Sequence, residues 1–477
     1  FSFGITAAGG TGYYLAQMMV DGEAEIDMAS LDPKRYGQDW MTTEYAARKN
    51  EEAYEHVYIL HHPDEERPAC RPLRTNPAYD REKAMGAQFG VVNGWERPNY
   101  YGPRDAAPDF DVKARSFRRG AWWPHAKAEA EAIRGGVGLI DASAFAKHRV
   151  FGPGAAAFLD WFTTNRLPKV GRINLTYALT SAGTVRSEYT IMRTGENDFY
   201  LVSAGAWEDY DADWLRKAEE DWWASHAGPE NWLGIENVTT KWGVFAIAGP
   251  KSRDVLRELV RDAEPETVLS NKRSPWLSVR DIELLMCPVR AARVAYTGEL
   301  GWELHHPMEM QNYLWDRLWE VGEKHGMKPV GARAQNWLRQ EKSYRAFGTE
   351  LGRDATPLEA GLDRFVDTSK DFFGKEAMLA TPIRAKCVTV LVDGPEDADP
   401  WGREALYDAD GRTLVGRLTS GGYSVAFGKS IGMGYVKPDL AEPGTRLKVK
   451  MFDRLWDAEV QPDSPYDPKN ERIRVDG

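Results

Sequence analysis

Short strands separated by a glycine turn occupy the middle of the chain and restrict the folds that it can adopt. Apolar alternation predicts strands at residues 175–179, 185–192 and 199–202, with a turn at 181–183 between the first two. Strands joined by so short a turn pair antiparallel. A helix is predicted to follow over residues 207–224. This part of the chain is therefore predicted to form an antiparallel α+β domain.

The flanking regions have different patterns. Residues 309–325 and 331–346 have the apolar spacing of amphipathic helices. From about residue 386, short β segments with turn signals such as Asp410-Gly411 predict a small β-barrel or sandwich. Residues 40–120 are punctuated by proline and predict a turn-rich linker domain.

Composition excludes several classes of function. The 477 residues are 42% hydrophobic, enough for more than one core, and 61 basic against 72 acidic residues give a net charge of −11. This balance argues against a nucleic-acid partner. No apolar run reaches about 18 residues, so no membrane span is expected. Three distant cysteines and two adjacent histidine pairs lack metal-ligand spacing, so we expect no metal site, and a reducing compartment such as the cytoplasm or, in a eukaryote, the mitochondrial matrix.

The first residues predict a strand, a glycine turn and a helix over 4–21, with Gly9, Gly10 and Gly12 in the turn. Free N–H groups at such a helix start can receive an anionic or carbonyl group, although a plain tight turn before a packed helix is the commoner explanation. The spacing is not GxGxxG. Because the chain starts at Phe1 without methionine or a signal peptide, we expect it to begin inside a domain, with the rest processed or absent from this sequence.

The stretch Tyr296-Thr297-Gly298-Glu299-Leu300-Gly301-Trp302-Glu303-Leu304 is the most specific motif. Its glycines allow backbone conformations that other residues avoid. Strand alternation then places Trp302 and Leu304 on one face and Glu303 on the other. The two oxygens of a carboxylate can accept a pair of adjacent N–H donors, such as the edge of a pterin offers. On the residues alone, a solvated strand glutamate is the commoner outcome.

Two further polar features are candidates for chemistry. Glu188 shares a strand face with Arg186 and Thr190, and a carboxylate there could stabilise cationic charge or manage a proton, although most strand glutamates lie at the surface. The second feature is the helix around Arg339. There Arg339, with Glu341 or Lys342, is predicted to be ordinary helix surface.

The order Tyr-Thr-Gly-Glu-x-Gly-x-Glu resembles the signature of the folate-binding aminomethyltransferase family, which includes the glycine-cleavage T-protein and the folate half of dimethylglycine and sarcosine dehydrogenases. Leu300 and Trp302 make this motif most similar to the dehydrogenase branch. The resemblance covers nearly the whole chain. It implies an antiparallel-sheet folate-binding aminomethyltransferase fold over 121–380 and a C-terminal β-barrel over 381–477. A remnant of a flavin domain, 1–40, and a linker domain, 41–120, precede them.

The resemblance also implies site residues. Tyr296 and Glu303 would hold the pterin, Phe145 and Val202 would line the pterin and aminobenzoyl pocket, and Glu188 would be catalytic. Gly9, Gly10 and Gly12 would face the flavin.

The sequence departs from the T-protein pattern at several of the matching positions. Ser187 and Glu188 replace an Asp-Asp pair, and Ala204 replaces an asparagine that contacts folate. Gln335 and Asn336 stand where the family has Arg and Asp. The departure at Gln335 and Asn336 argues against the T-protein's own reaction, which needs a lipoyl-carrier partner.

The implied function is the oxidative N-demethylation of a methylated glycine by FAD, with transfer of the one-carbon unit to tetrahydrofolate, which gives 5,10-methylene-tetrahydrofolate. The expected partners are a small methylated amine, folate and a flavin-bearing N-terminal chain or fragment. Two alternatives remain at this point. One is a flavin-free, tetrahydrofolate-dependent methyltransferase or demethylase, and the other is a folate-binding protein without enzymatic activity.

Overall fold

The computed structural model describes residues 4–37, 40–63, 65–110 and 115–476. The helices are α1 (Gly4–Val20), α2 (Thr43–Glu55), α3 (Tyr79–Ala84), α4 (Trp123–Gly135), α5 (Ala155–Phe162), α6 (Glu208–His226), α7 (Ser252–Leu259), α8 (Pro265–Val268), α9 (Gln311–Gly322), α10 (Ala332–Glu341) and α11 (Lys375–Ala380). The strands are β1 (Ala87–Val92), β2 (Trp95–Tyr101), β3 (Gly138–Asp141), β4 (Ala146–Phe151), β5 (Ile173–Leu179), β6 (Val185–Gly195), β7 (Asp198–Ser203), β8 (Gly234–Asn237), β9 (Trp242–Ala248), β10 (Val260–Arg261), β11 (Val279–Leu284), β12 (Cys287–Ala292), β13 (Gly301–Pro307), β14 (Lys328–Pro329), β15 (Lys386–Val392), β16 (Ala405–Tyr407), β17 (Leu414–Ser424), β18 (Lys429–Val436), β19 (Arg446–Met451) and β20 (Arg454–Gln461).

Two sheets form the central part of the molecule. One has five strands in the order β5-β6-β7-β4-β8, and the other has seven in the order β10-β11-β12-β13-β9-β3-β14. Every pair in both sheets is antiparallel except the short edge pair of β14 with β3. The predicted α+β class with antiparallel sheets is thus confirmed.

The two faces of the five-stranded sheet are buried differently. Helices α5 and α6 pack on one face through Phe158, Phe162 and Trp214. The other face meets the seven-stranded sheet, where Met192 and Tyr200 belong to the same apolar cluster as strand residues of β11 and β12. Side chains on a strand alternate between its two faces, so Glu188 lies on the same face of β6 as Met192. Glu188 therefore also faces the second sheet. Val202, one of the predicted folate residues, packs against this cluster between the two sheets.

The C-terminal strands close into a barrel in the order β15-β18-β17-β16-β19-β20, with β20 pairing back onto β15. Its interior is filled by aliphatic side chains such as Val390, Leu418 and Val449. The barrel packs against α10, which lies between it and the two sheets. The predicted C-terminal β-barrel is therefore confirmed.

Two predictions about local structure were wrong. The described residues 4–20 form one continuous helix, α1, in place of the predicted strand and glycine turn, and Gly9, Gly10 and Gly12 lie inside it, where backbone N–H groups are engaged in helical hydrogen bonds. Besides its turns, the linker region contains a regular helix, α2, which is capped by Thr42 accepting from Tyr45 N at 3.2 Å. Helix α10 is shorter than predicted, since the backbone turns left-handed at Ser343 (φ +54°).

The prediction that the end of α10 is ordinary surface was also wrong. Arg339, Glu341 and Lys342 are each no more than 1% exposed, because the barrel covers them. Arg339 donates from Nη1 to Glu350 at 2.6 Å and from Nη2 to the Ser420 hydroxyl at 2.6 Å. These hydrogen bonds of Arg339 hold the end of α10 against the barrel.

Candidate functional site

The glycine motif forms the turn that leads into β13, a central strand of the seven-stranded sheet. Gly298 has φ +77°, and a Cβ there would meet Lys342 Cγ at 2.4 Å. Gly301 has no left-handed φ, but a Cβ would come within 2.6 Å of the Ile247 carbonyl oxygen. The first glycine is therefore required for conformation and space, and the second for space alone.

We expect Gly298→Ala to destabilise the protein by about 2–4 kcal/mol, because it adds a left-handed backbone cost and a clash with buried Lys342. Gly326→Ala is the matched control, since Gly326 has nearly the same φ, +76°, with no heavy atom within 4 Å of a Cβ. Urea unfolding of both variants measures the difference. If both variants lose the same free energy of unfolding, the clash with Lys342 at position 298 contributes nothing to the loss.

Glu303 lies where strand alternation predicts it. Trp302 and Leu304 are buried in the core, whereas the Glu303 side chain points to the other face and keeps 23% of its surface exposed. On the same face, His305 places Nε2 3.3 Å from a Glu303 oxygen and Nδ1 3.2 Å from the Tyr200 hydroxyl. Burial lowers the pKa of His305, so the ring is neutral at pH 7.

One arrangement of protons satisfies this chain of side chains. His305 donates from Nε2 to Glu303, and Tyr200 donates its hydroxyl proton to Nδ1. Within the described residues, Glu303 receives no other hydrogen bond. The Glu303 carboxylate is thus held by His305 on one side. Its remaining lone pairs can still accept hydrogen bonds from the space between the sheets.

Tyr296 lies at the start of the motif and is half-buried. Its hydroxyl donates to the Arg345 carbonyl oxygen at 3.1 Å, and its ring stacks on Tyr344 with centroids 6.0 Å apart. Burial raises the pKa of the Tyr296 phenol, and the charge of Glu188 is close enough to raise it further. The structure therefore brings Tyr296 and Glu188, which come from different sheets, into one neighbourhood.

Glu188 lies on β6 opposite Tyr177 and is partly buried. Burial raises the pKa of its carboxyl to about 8; the charge of Glu350 acts in the same direction and that of Arg339 opposes it. None of the described residues forms a hydrogen bond to this carboxyl. Glu188 is therefore a largely protonated acid at pH 7, able to give up its proton when a cation approaches.

Val202 and Phe145 complete the predicted set. Val202 on β7 pairs with Thr190 of β6 and Lys147 of β4, and it packs against the apolar cluster between the sheets. Phe145 precedes β4 and lines a cavity of about 370 Å³ beside the start of α10. Val202 thus lies between the two sheets, whereas Phe145 lies at the cavity beside α10.

Sequence reasoning missed several buried polar groups at this region. His305 could have been found, because it follows Glu303 by two residues and shares its strand face. Lys147 donates from Nζ to the Ser143 carbonyl oxygen at 2.7 Å, and burial lowers the pKa of its ammonium group to about 7. No local sequence pattern predicts the buried Arg339–Glu350 ion pair, since its burial depends on contacts with the barrel.

A larger cavity, about 480 Å³, lies between residues 118–119, α10 and the barrel. Two of its arginines are paired, Arg118 with Asp397 at 2.5 Å and Arg119 with Asp399 at 2.8 Å. None of the predicted folate residues lines it. We therefore place the candidate site between the two sheets rather than here.

The described residues offer no cradle for a flavin near the start of the chain. Hypothetical Cβ atoms at Gly9, Gly10 and Gly12 would meet no heavy atom within 4 Å, and the turn on which this assignment depended is absent. Within the same described part of the chain, no cluster of three potential metal ligands occurs. No described helix has the length and apolarity needed to cross a membrane.

Comparison with known proteins places the chain in a family. The family model described as GCVT N-terminal domain matches residues 78–370, and the glycine cleavage T-protein C-terminal barrel domain matches 386–467. The chain belongs to the glycine cleavage T-protein family. The FAD dependent oxidoreductase central domain matches residues 21–75. The domain boundaries at residues 40, 120 and 380 stay predictions.

Individual relatives agree with the resemblance seen in the motif. Mitochondrial dimethylglycine dehydrogenase of Rattus norvegicus is 35% identical over 489 residues, which cover 100% of this chain and 54% of that protein. The 4-methylaminobutanoate oxidase (formaldehyde-forming) of Paenarthrobacter nicotinovorans is 30% identical over 99% of this chain and 56% of its own. The chain thus spans about half the length of these relatives, and its resemblance to the dehydrogenase branch is confirmed.

A solved structure supports the fold. Glycine cleavage system aminomethyltransferase T from Bartonella henselae superposes with a TM-score of 0.68 at 22% sequence identity, covering 83% of this chain and 99% of that one. The predicted aminomethyltransferase fold is thereby confirmed.

Proposed function

We propose that this chain is the folate-binding part of an enzyme that oxidatively demethylates a methylated glycine, of the dimethylglycine or sarcosine type. The observation that carries the proposal is that Glu303 of the glycine motif keeps part of its carboxylate free beside His305, while burial raises the pKa of Glu188 so that it holds a proton at pH 7. The relatives that are named dehydrogenases and oxidases of methylamino compounds support the class of reaction.

Tetrahydrofolate would supply N5 and N10, the two nitrogens that share the one-carbon unit in 5,10-methylene-tetrahydrofolate. Glu303 would accept adjacent N–H groups of the pterin, and Tyr296, Val202 and Phe145 would pack against its rings. A cation entering beside Glu188 lowers the pKa of that carboxyl, which releases its proton and becomes the counter-charge. Glu188 thus holds a proton in the empty site and balances positive charge in the filled one.

The oxidation that produces the one-carbon unit is assigned to a flavin-bearing chain or fragment, because the described residues here form no flavin cradle. FAD and tetrahydrofolate are thus the cofactors of the whole enzyme, and a small methylated amine is its substrate. Three unpaired cysteines suit a reducing compartment, and we propose the cytoplasm or a mitochondrial matrix.

We expect Glu303→Gln to weaken tetrahydrofolate binding about 10- to 100-fold, because an amide offers one acceptor and opposes a donor with its own N–H group. Isothermal titration of the 477-residue chain measures the affinity. Glu283→Gln, at an exposed position on β11 of the same sheet, is the matched control. It should bind tetrahydrofolate as tightly as the unchanged chain does. Equal affinity of both variants would remove Glu303 from the pterin site.

The flavin-free alternative makes a different prediction. A methyltransferase or demethylase acting alone would turn over a methyl donor with tetrahydrofolate when no electron acceptor is present. Such turnover, measured by the loss of tetrahydrofolate, would replace the oxidative proposal. Folate binding that is unaffected by Glu188→Ala, together with the absence of turnover under both conditions, would instead support a binding protein.

A further inference from the structure

Arg97 is a partly buried arginine of the linker hairpin β1-β2. It lies on β2 opposite Gly90, and its Nε is buried with no hydrogen-bond acceptor among the described residues. Across the described ranges no residue forms a hydrogen bond or an ion pair with it. Glu66 is the acid whose charge reaches Arg97, but its oxygens already accept from Arg71 Nη1 at 3.2 Å and Asn99 Nδ2 at 3.1 Å. Burying an arginine without an acceptor is costly, so such a group is characteristic of a ligand site.

Arg97 lines the cavity beside α10, which is open to solvent. Gln335 lines it too, and its side-chain amide makes no hydrogen bond within the described residues. Asp141 is the acid in the lining, and its oxygens accept from Ser143 N at 2.8 Å and from Asn76 Nδ2. The cavity therefore presents donors whose acceptors are missing, which favours an anion.

The cavity adjoins the proposed folate pocket. Phe145, predicted to lie against the aminobenzoyl ring, is in its wall, and so is Gly205, which follows Val202 by three residues. Folate carries its pterin at one end and a glutamate with two carboxylates at the other, with the aminobenzoyl group between them. A folate with its pterin at Glu303 and its ring at Phe145 would extend its carboxylates toward Arg97.

We propose that this cavity is a carboxylate subsite, in which Arg97 and Gln335 bind the glutamate tail of the folate. A guanidinium matches a carboxylate with two parallel N–H donors, and an amide N–H adds a third. The proposal rests on the proposed function for its ligand. It adds that the linker hairpin β1-β2, and not the two sheets alone, determines how tightly folate is held.

Binding of two ligands to the 477-residue chain tests the subsite: tetrahydrofolate, and tetrahydropteroate, which lacks the glutamate. We expect the unchanged chain to prefer tetrahydrofolate by roughly 10- to 100-fold. In Arg97→Gln the preference should fall to within about threefold, with the affinity for tetrahydropteroate retained. Arg104→Gln, at an exposed position after the same hairpin, is the matched control and should keep the full preference.

Retained binding of tetrahydropteroate also reports that the Arg97→Gln pocket is folded. A preference that survives Arg97→Gln, or an unchanged chain that does not distinguish the two ligands, would overturn the subsite and leave the proposed function standing. Competition between dimethylglycine and the glutamate tail of tetrahydrofolate would also overturn the subsite and leave the proposed function standing. The cavity would then bind the carboxylate of the amine substrate and not that of folate. Failure of the unchanged chain to bind either folate would overturn the proposed function itself.

Discussion

Glu188→Gln should slow one-carbon capture by about 100- to 10,000-fold while tetrahydrofolate affinity stays within about threefold, because glutamine keeps the shape of the side chain but cannot give up a proton or carry charge. The measurement is the rate at which 5,10-methylene-tetrahydrofolate forms in the complete enzyme. Glu196→Gln, at the exposed turn between β6 and β7, is the matched control. An unchanged rate would leave Glu188 without a chemical role.

The same substitution should change how stability depends on pH. The pKa of Glu188 is about 8 in the folded protein against an ordinary value of 4.5, so between these values the unfolded chain releases a proton that the folded protein keeps. Stability therefore falls as pH rises through this window and levels off above it. Glu188→Gln removes this loss, and its stability relative to the unchanged chain should rise by about 2–4 kcal/mol from pH 4 to pH 9.

Urea unfolding at pH 4, 7 and 9 measures that difference, with Glu196→Gln again as the reference for an exposed glutamate. The comparison is independent of any ligand, so it tests the buried proton separately from the proposed reaction. A stability difference that is constant with pH would mean that the Glu188 carboxyl titrates as an exposed one does.

Arg339→Met should destabilise the protein by about 3–5 kcal/mol, because it leaves the fully buried Glu350 carboxylate without its counter-charge. Glu350 also accepts from Ala346 N at 3.0 Å and Thr349 Oγ1 at 2.9 Å, but these neutral donors do not replace the arginine. The free energy of unfolding in urea measures the effect. Arg412→Met, at an exposed turn of the barrel, should change it by less than about 0.5 kcal/mol.

The double substitution Arg339→Met and Glu350→Leu discriminates between two explanations of such a loss. Removing both charges also removes the isolated carboxylate, so we expect the double variant to recover at least about half of the lost stability. If the double variant is as unstable as Arg339→Met alone, the loss comes from packing of α10 against the barrel rather than from the unpaired charge.

Much of the fold could be predicted because its signals are local. Helix α6 and strands β5, β6 and β7 lie within a few residues of their predicted bounds. Strand alternation also placed Glu303 correctly opposite Trp302 and Leu304. The prediction for the start of the chain was wrong, also for a local reason. Its three glycines indicated a turn, yet the alanine, leucine and methionine residues around them continue one helix, α1.

What the sequence by itself determined is the order of strands and helices and the face on which each strand residue lies, since the periods of two and 3.6 residues act between near neighbours. Only the tertiary structure decided which charges are buried. The barrel covers Arg339, Glu341 and Lys342, the surrounding structure raises the pKa of Glu188, and the linker hairpin carries Arg97 to a cavity wall where it has no ion-pair partner among the described residues. Burial and charge pairing depend on contacts between residues far apart in the chain, and no local pattern contains them.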